Sequence, residues 1–410
     1  MQCGLLGKTL SHSYSPKIHK HLGNYSYALY EVMPENLESF LVDTPFTGIN
    51  VTMPYKKDVI PYCAELSPVA KRLGSVNTIV RKDDGRLVGH NTDYFGFSSM
   101  VARSGLCLAG KKVLVLGSGG ASVTVVAVLE DFGAKPIVIS RSGANNYENL
   151  WLHEDATIIV NTTPVGMFPD TGVSPVDLNR FPNLTGVLDI VYNPHRTKLL
   201  LEAEKRGLKT QNGLWMLVAQ AKESAEWFTG SKISDAIVSR VYNTLCSETE
   251  NTVLIGMPGC GKSTIGKLLA EMTEKQFVDA DAVVEEKAGI TIPEIFATYG
   301  ESHFRNLETA VLAQLGKLSG LVIATGGGCV TVNENYPSLH QNGKIIWLQR
   351  EINDLPTEGR PLSQTGHLES MYAKRAPLYG RFADLTVENT GTPENTAERI
   401  LKLLTEGASI

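Results

Sequence analysis

The chain has 410 residues, 42% of them hydrophobic and 20% charged, a globular composition with room for about two to four domains. Its 38 Lys and Arg against 43 Asp and Glu give a formal charge of -5, which lacks the basic footprint of a nucleic-acid binder. No apolar run reaches membrane-spanning length, and residues 1–8 carry no secretory pattern, so no membrane partner is expected. The six cysteines form no C-x-x-C pair and the nine histidines show no ligand spacing, so reduced thiols in a cytoplasm and no structural metal are expected.

In chain order, strands are expected near residues 3–6, 27–32, 48–51 and 76–81, alternating with helices. Residues 1–98 have no Gly-rich phosphate loop and read as a substrate-holding α/β domain. A short apolar strand at 111–116 then enters Gly117-Ser118-Gly119-Gly120-Ala121-Ser122, followed by a helix at 123–132 and a strand at 136–140. This is one βαβ unit. Strands at 157–161, 186–190 and near Thr210 extend a dinucleotide-type sheet over 99–221. Helical patterns at 216–228 and 234–245 end this half, with residues from about 222 to 246 returning to the first domain. The short polar run 247–251 suits a linker, and cutting there is expected to yield two separately active proteins. A new strand at 252–255 opens a further α/β domain, 252–410.

The strongest local signal is Gly256-Met257-Pro258-Gly259-Cys260-Gly261-Lys262-Ser263, G-x-x-x-x-G-K-S between a strand and a helix, continuing into Thr264. Backbone N–H groups of such a loop wrap phosphates, Lys262 reaches the β- and γ-phosphates, and Ser263 holds Mg²⁺. The 117–122 loop is weaker, because Ser122 replaces the third glycine of the dinucleotide pattern. Arg141, just past the second strand, stands where an NAD enzyme places an acid. A cation there attracts a 2′-phosphate and favours NADPH, unless it is simply a solvated strand end.

Asp279 and Asp281 end an expected strand two residues apart and so face one side, where one can serve Mg²⁺ water and the other a substrate hydroxyl. A solvated strand end is the plain alternative. Gly326, Gly327 and Gly328 follow an apolar strand, where backbone can approach a ligand closely. Beside a phosphate loop, Arg305, Arg360 and Arg375 suggest capture of a carboxylate and of a transferring phosphate. In the first half, Ser13 and Ser15 offer two hydroxyls before a helix, an ordinary N-cap when taken alone. Lys56 follows a strand and Asp93 lies in a loop. A ketone reductase needs a proton donor at oxygen while hydride arrives at carbon, and a lysine oriented by an acid supplies it.

At these residues the chain resembles two enzyme families in tandem. Residues 1 to about 246 resemble shikimate dehydrogenase through Ser13-Tyr14-Ser15-Pro16, Asn50-Val51-Thr52-x-Pro54-x-Lys56, Val76-Asn77-Thr78, Asn91-Thr92-Asp93, the 117–122 loop, Asn161-Thr162-Thr163-Pro164-x-Gly166-Met167 and Asn212-Gly213-x-x-Met216-Leu217-x-x-Gln220. From about 252 onward it resembles shikimate kinase through the phosphate loop, Asp279-x-Asp281, Phe304-Arg305, Gly326-Gly327-Gly328, Arg360-Pro361-Leu362 and Lys374-Arg375-Ala376-Pro377-Leu378-Tyr379. The implied fold is a two-domain dehydrogenase with a Rossmann NADP domain, followed by a P-loop, nucleoside-monophosphate-kinase-like α/β domain.

The first resemblance implies that Ser13, Ser15, Thr52, Asn77, Asp93 and Gln220 hold the substrate, with Lys56 and Asp93 as the acid/base pair. It places Tyr192 near substrate and nicotinamide, and Gly213 at the cofactor. The second implies Lys262 and Ser263 on ATP and Mg²⁺, and Asp279 near the metal. It puts Asp281, Arg305, Gly327, Gly328 and Arg375 on shikimate, and Arg360 on the transferring phosphate. Together these imply NADPH-dependent reduction of 3-dehydroshikimate and then phosphorylation of shikimate. A quinate/shikimate dehydrogenase fused to a kinase, and a metabolite-sensing regulator built from these domains, remain alternatives. Two departures stand out. Tyr94 occupies a position where the dehydrogenase family usually has glycine. The stretches 349–360 and 362–372 are short, without a counterpart to the family's arginine against adenine.

Overall fold

The computed structural model describes residues 1–10, 13–355 and 368–406. Strands at 2–7 and 48–51 are apolar and nearly continuous in burial, as expected where both sheet faces are covered, while the strand at 26–31 has no fully buried residue. The first sheet is built from β1 (Gln2–Gly7), β2 (Ser26–Glu31), β3 (Gly48–Val51), β4 (Glu65–Leu66), β5 (Thr78–Arg81) and β6 (Leu87–His90), in the order β2-β1-β3-β5-β6-β4. Strand β1 runs parallel to β2 and β3, and β5 runs antiparallel to β3 and β6. Helices α1 (Ser15–Lys20), α2 (Leu37–Asp43), α3 (Pro68–Leu73) and α4 (Asp93–Ser104) connect or follow the strands. Leu6, Ile49, Val51 and Ile79 form the centre of one core cluster. The two strands not foreseen, β4 and β6, are short, and β6 contains Gly89. The Asp84-Gly85 turn, closed by Gly85 N–H on the Lys82 carbonyl at 2.8 Å, is a hairpin signal that marks β6 in the sequence.

The second sheet contains β7 (Lys112–Leu116), β8 (Lys135–Ile139), β9 (Ile158–Asn161), β10 (Gly186–Asp189) and β11 (Lys209–Gln211), all parallel in the order β11-β10-β9-β7-β8. Helix α5 (Gly120–Asp131) starts directly from the glycine turn after β7, three residues earlier than its apolar pattern suggests, because Gly119 already acts as its N-cap. Helices α6 (Lys198–Lys205) and α7 (Leu214–Thr229) follow. Helix α7 packs along α4. It returns to the first sheet, where a Cβ on Gly48 would collide with the Phe228 ring.

The third sheet is also fully parallel, β13-β14-β12-β15-β16, from β12 (Asn251–Ile255), β13 (Gln276–Asp279), β14 (Leu321–Ala324), β15 (Gly343–Gln349) and β16 (Leu385–Glu388). Helix α8 (Ala236–Thr249) leads into β12, and with the sheet go α9 (Lys262–Thr273), α10 (Ala280–Ala288), α11 (Ile292–Lys317, kinked at Gly300), α12 (Asn335–His340), α13 (Leu368–Phe382) and α14 (Pro393–Glu406). Val253, Leu254, Ile323 and Ile345, all fully buried, centre its core.

Packing divides the chain into two units. One comprises Met1–Gly166, Val173–Tyr192 and Leu199–Tyr242; the other comprises Met167–Gly172, Asn193–Lys198 and Asn243–Ile410. The expected linker at 247–251 takes a different form. Residues 247–249 are the last turn of α8 and Asn251 opens β12. Asn251 is 1% exposed. Its side chain accepts from Leu321 N–H at 2.8 Å and donates to the Leu318 carbonyl at 2.7 Å. Polarity at 249–251 therefore serves buried hydrogen bonding, which a sequence reads the same way as solvation.

Candidate active sites

In the first unit, Lys56 sits in the turn after β3 and Asp93 is the first residue of α4. Lys56 Nζ lies 2.5 Å from Asp93 Oδ2, with both side chains partly exposed. A cation and a carboxylate in contact at the rim of a sheet can relay one proton to a bound oxygen. Asp93 is aimed by its neighbours. Thr92 N–H donates to Asn77 Oδ1 at 2.6 Å and Asn77 Nδ2 donates to Thr92 Oγ1 at 3.1 Å. Thr92 Oγ1 in turn reaches Gln220 Oε1 at 3.3 Å, and Gln220 Nε2 donates to the Leu217 carbonyl at 3.0 Å. Asn77 and Gln220, expected on substrate, are both buried and both bond to Thr92, next to Asp93 at the start of α4.

Asn50, Thr78 and Ser224 extend the same network: Asn50 Nδ2 donates to Ser224 Oγ at 2.8 Å and to Thr78 Oγ1 at 3.1 Å. Sequence reading did not assign them, and short polar residues inside apolar strands were the available signal. Ser13 and Ser15 form the entry to α1, where Ser15 N–H donates to Ser13 Oγ at 3.2 Å. Thr52 is half-buried at the end of β3. The Tyr192 ring tilts against Tyr14 at 5.3 Å between centroids, so it reaches the serine segment. Burial pushes the Tyr192 phenol up.

The 117–122 loop joins β7 to α5. A Cβ on Gly119 or Gly120 would meet nothing within 4 Å, so the start of α5 is open to an anion, as a dinucleotide pyrophosphate requires. Ser122 is buried and its hydroxyl donates to the Gly119 carbonyl at 2.7 Å, which explains how serine stands in for glycine. Arg141 is exposed just past β8. Gly213 caps α7, and a Cβ there would strike the Ile190 backbone. That close packing is reason enough for glycine.

In the second unit, Gly259, Gly261, Lys262, Ser263, Thr264, Asp279, Asp281, Arg305, Gly327, Gly328 and Arg375 all line one cavity of about 590 Å³. Gly256, Gly259 and Gly261 take φ of 144°, 84° and 100°, which a side chain would strain. Lys262 Nζ is buried and donates to the Gly256 and Met257 carbonyls at 2.9 and 3.0 Å. Cys260, expected in the nucleotide-binding loop, has a fully buried side chain, and its carbonyl accepts from Asn389 Nδ2 at 2.7 Å.

The Asp279/Asp281 pair also differs from expectation. Asp279 ends β13 and is the N-cap of α10, so only it and not Asp281 is a strand residue, and Asp279 Oδ1 accepts from Asp281 N–H at 3.1 Å. The cap turns Asp281 into the first helical turn, where both carboxylates still reach the cavity. Ser263 Oγ donates to Asp279 Oδ2 at 2.7 Å. This hard-oxygen pair beside the phosphate loop fits Mg²⁺.

Arg305 Nη1 contacts Glu308 Oε2 at 2.6 Å. A Cβ on Gly326 would collide with the Glu308 and Asp281 carboxylates, and one on Gly328 with the Arg305 guanidinium. The glycine run is therefore the bare wall against which these charges lie. Asp281 Oδ1 and Glu308 Oε1 are buried with no hydrogen-bond partner, so two acceptors await a hydroxyl-bearing ligand. Burial, then Glu308 and Asp279, push the Asp281 carboxyl up to about 6. Burial also raises Glu308. Glu308 was not assigned from sequence, although its i,i+3 spacing from Arg305 is a legible helical pair. Arg375 Nη1 donates to the Gly327 carbonyl at 3.2 Å, and Tyr379 donates to the same oxygen at 2.5 Å. Arg360 lies outside the described residues.

The folds and sites define a Rossmann-type oxidoreductase joined to a P-loop kinase. A family model for the shikimate dehydrogenase substrate binding domain matches residues 5–79, and one for shikimate kinase matches residues 258–405. The shikimate dehydrogenase (NADP(+)) of Caldicellulosiruptor bescii is 35% identical over 62% of this chain and 96% of its own length. Shikimate dehydrogenase 1 of Peptoclostridium difficile is 38% identical with a TM-score of 0.55, covering 60% of this chain and 97% of its own. Quinate dehydrogenase of Corynebacterium glutamicum, in complex with NAD, is 28% identical with a TM-score of 0.56, covering 60% and 99%. The chain belongs to the shikimate dehydrogenase family and carries a shikimate kinase domain at its C-terminal end. It is a bifunctional shikimate-pathway enzyme, with NADP for the first domain set and ATP with Mg²⁺ for the second.

Proposed function

We propose that the first half reduces 3-dehydroshikimate to shikimate with NADPH and that the second half phosphorylates shikimate at its 3-hydroxyl. The observation that supports this most is a single chain holding a lysine–carboxylate pair and, separately, a phosphate-loop cavity with two unpartnered buried carboxylate oxygens. NADPH supplies the hydride. Lys56 donates a proton to the ketone oxygen and Asp93 holds the resulting amine oriented for reprotonation. The 117–122 loop and Arg141 hold the dinucleotide, the latter through its 2′-phosphate. Ser13, Ser15, Thr52 and Tyr192 hold the substrate.

In the second half, ATP with Mg²⁺ supplies the phosphoryl group, with Lys262, Ser263 and Asp279 as its holders. Arg305 and Arg375 bind the substrate carboxylate, and Asp281 accepts the proton of the attacking hydroxyl. Residues 1–98 with about 222–246, 99–221 and 252–410 are the proposed substrate, NADP and kinase domains. The described residues contain no helix long and apolar enough to cross a membrane, and we place the enzyme in the cytoplasm acting on small molecules. The test is one coupled assay with 3-dehydroshikimate, NADPH and MgATP, followed for NADPH loss and ADP formation. ADP formation that does not depend on NADPH would sink the sequential reading. The similarity to a quinate dehydrogenase favours one second reading, quinate oxidation with NAD⁺, and comparing that with shikimate and NADP⁺ decides it.

A further inference from the structure

The kinase unit contains two stretches from inside the dehydrogenase sequence, Met167–Gly172 and Asn193–Lys198. The second is held by both backbone and side-chain bonds. His195 N–H donates to Asn342 Oδ1 at 2.9 Å, and the His195 ring Nε2 lies 2.8 Å from Thr249 Oγ1. Arg196 N–H donates to the Gln341 carbonyl at 2.8 Å and its guanidinium to the His340 carbonyl at 3.2 Å. Asn342 is fully buried. Its Nδ2 donates to the Gly316 and Lys317 carbonyls at 3.2 and 3.1 Å, and its own carbonyl accepts from Asn251 N–H at 2.7 Å. One asparagine thus ties together the end of α11, the start of β12, the entry to β15 and the inserted segment.

Charge supports the same arrangement. Glu250, which precedes β12, is only 27% exposed and lies 3.7 Å from Arg196. Burial pushes the Glu250 carboxyl up, with Arg196, Lys344 and Lys275 acting against that. Asp384, whose Oδ2 accepts from Ile345 N–H at 2.7 Å, is pushed up by burial and opposed by Arg196 among others. Removing Arg196 leaves two half-buried carboxylates less compensated. Removing the His195 ring takes one partner from the Thr249 hydroxyl, which keeps only its bond to the Leu245 carbonyl, while the backbone N–H of residue 195 still reaches Asn342.

We propose that His195 and Arg196 are structural members of the P-loop unit, completing the edge where the chain enters β12 and β15. The kinase then depends on residues encoded before α8, and a fragment beginning at 247 or 252 lacks them. Tyr192, in the dehydrogenase site, precedes this segment directly in the chain.

The test uses the full chain with His195→Ala, Arg196→Ala, the double variant and Asn342→Ala, read by hydrogen exchange and by heat inactivation of each activity. Exchange in peptides covering 249–255 and 340–346 should rise about tenfold while peptides covering 112–116 and 158–161 stay unchanged, because local openings are cooperative within a unit. Shikimate-dependent ADP formation should lose its half-life about tenfold faster, and NADPH oxidation within about twofold of the parent. If the double variant is insoluble, Arg196→Gln, which keeps the backbone bonds, must show the same pattern at smaller amplitude. Unchanged exchange at 249–255 and 340–346 overturns the inference, as does equal loosening of 112–116. Exchange does not depend on the enzymatic assignment, so absence of both activities with the exchange pattern intact would count against that assignment alone.

Discussion

The two phosphate loops of this chain solve related problems in different ways. The 117–122 loop presents exposed Gly119 and Gly120 at the start of α5, is tightened by Ser122, and carries no cation of its own. The 256–263 loop folds around buried Lys262, is braced from outside by Asn389, and has three glycines at positive φ. A dinucleotide lies along a groove and its pyrophosphate needs only the helix start, so discrimination falls to a neighbour such as Arg141. A triphosphate that must transfer its end needs charge fixed before it binds. Gly119 and Gly120 of the first loop, where a Cβ meets nothing within 4 Å, should therefore tolerate substitution, whereas the positive-φ glycines, Gly117 included, should not.

The largest effects are expected at the two lysines. Lys56→Ala should lower the dehydrogenase kcat by about 10²–10⁴-fold, the range for loss of a general acid, with ADP formation from supplied shikimate unchanged. Lys262→Ala should lower the kinase kcat by about 10²–10³-fold, the loss of one fixed transition-state donor, with NADPH oxidation unchanged. Each is checked by steady-state rates of both activities in the same preparation, and an effect on the other activity would mean that the loops are not independent.

The next expectation concerns pH. Asp281 is raised to about 6 and must be ionised to accept a proton. Kinase kcat/KM should then fall about tenfold per pH unit below 6, and a pH profile in which Asp281→Asn loses the acid limb checks it. The stability sign is the opposite. A carboxyl with a folded pKa above its unfolded value loses stability as pH rises between 3.8 and about 6.

Arg141→Ala should raise KM for NADPH about tenfold and leave that for NADH within about twofold, since only NADPH has the 2′-phosphate. Equal losses would make Arg141 structural. The smallest effect is expected at Ser122→Ala, which removes one hydroxyl bond inside the first loop and should cost about 1 kcal/mol, read as a small fall in the thermal midpoint of NADPH oxidation.

Much of this molecule is legible without coordinates because its signals are local. The strand–glycine–helix pattern places β7, β12 and both phosphate loops within a few residues. Lys56 and Asp93 are legible as proton-transfer chemistry, though their 2.5 Å contact joins residues 37 positions apart. A lone amide has no pattern of its own, and Asn389 takes its meaning from the Cys260 carbonyl, which only folding brings beside it. The pairing of Glu308 with Arg305 is local, but only folding sets it against Gly326 together with Asp281.

Local backbone chemistry and apolar periodicity, which act over a few residues, were enough to determine the α/β class, three parallel or mixed sheets, and the identity of both loops. Tertiary structure decided everything that depends on which polar group meets which. The 249–251 run became a buried hub instead of a linker, the Cys260 carbonyl met Asn389, and Asn77 and Gln220 met Thr92. It also assigned 193–198 to the kinase unit. The physical reason is common to all four. A polar side chain looks the same in sequence whether water or a distant backbone group satisfies it, and only the folded chain supplies that distant group.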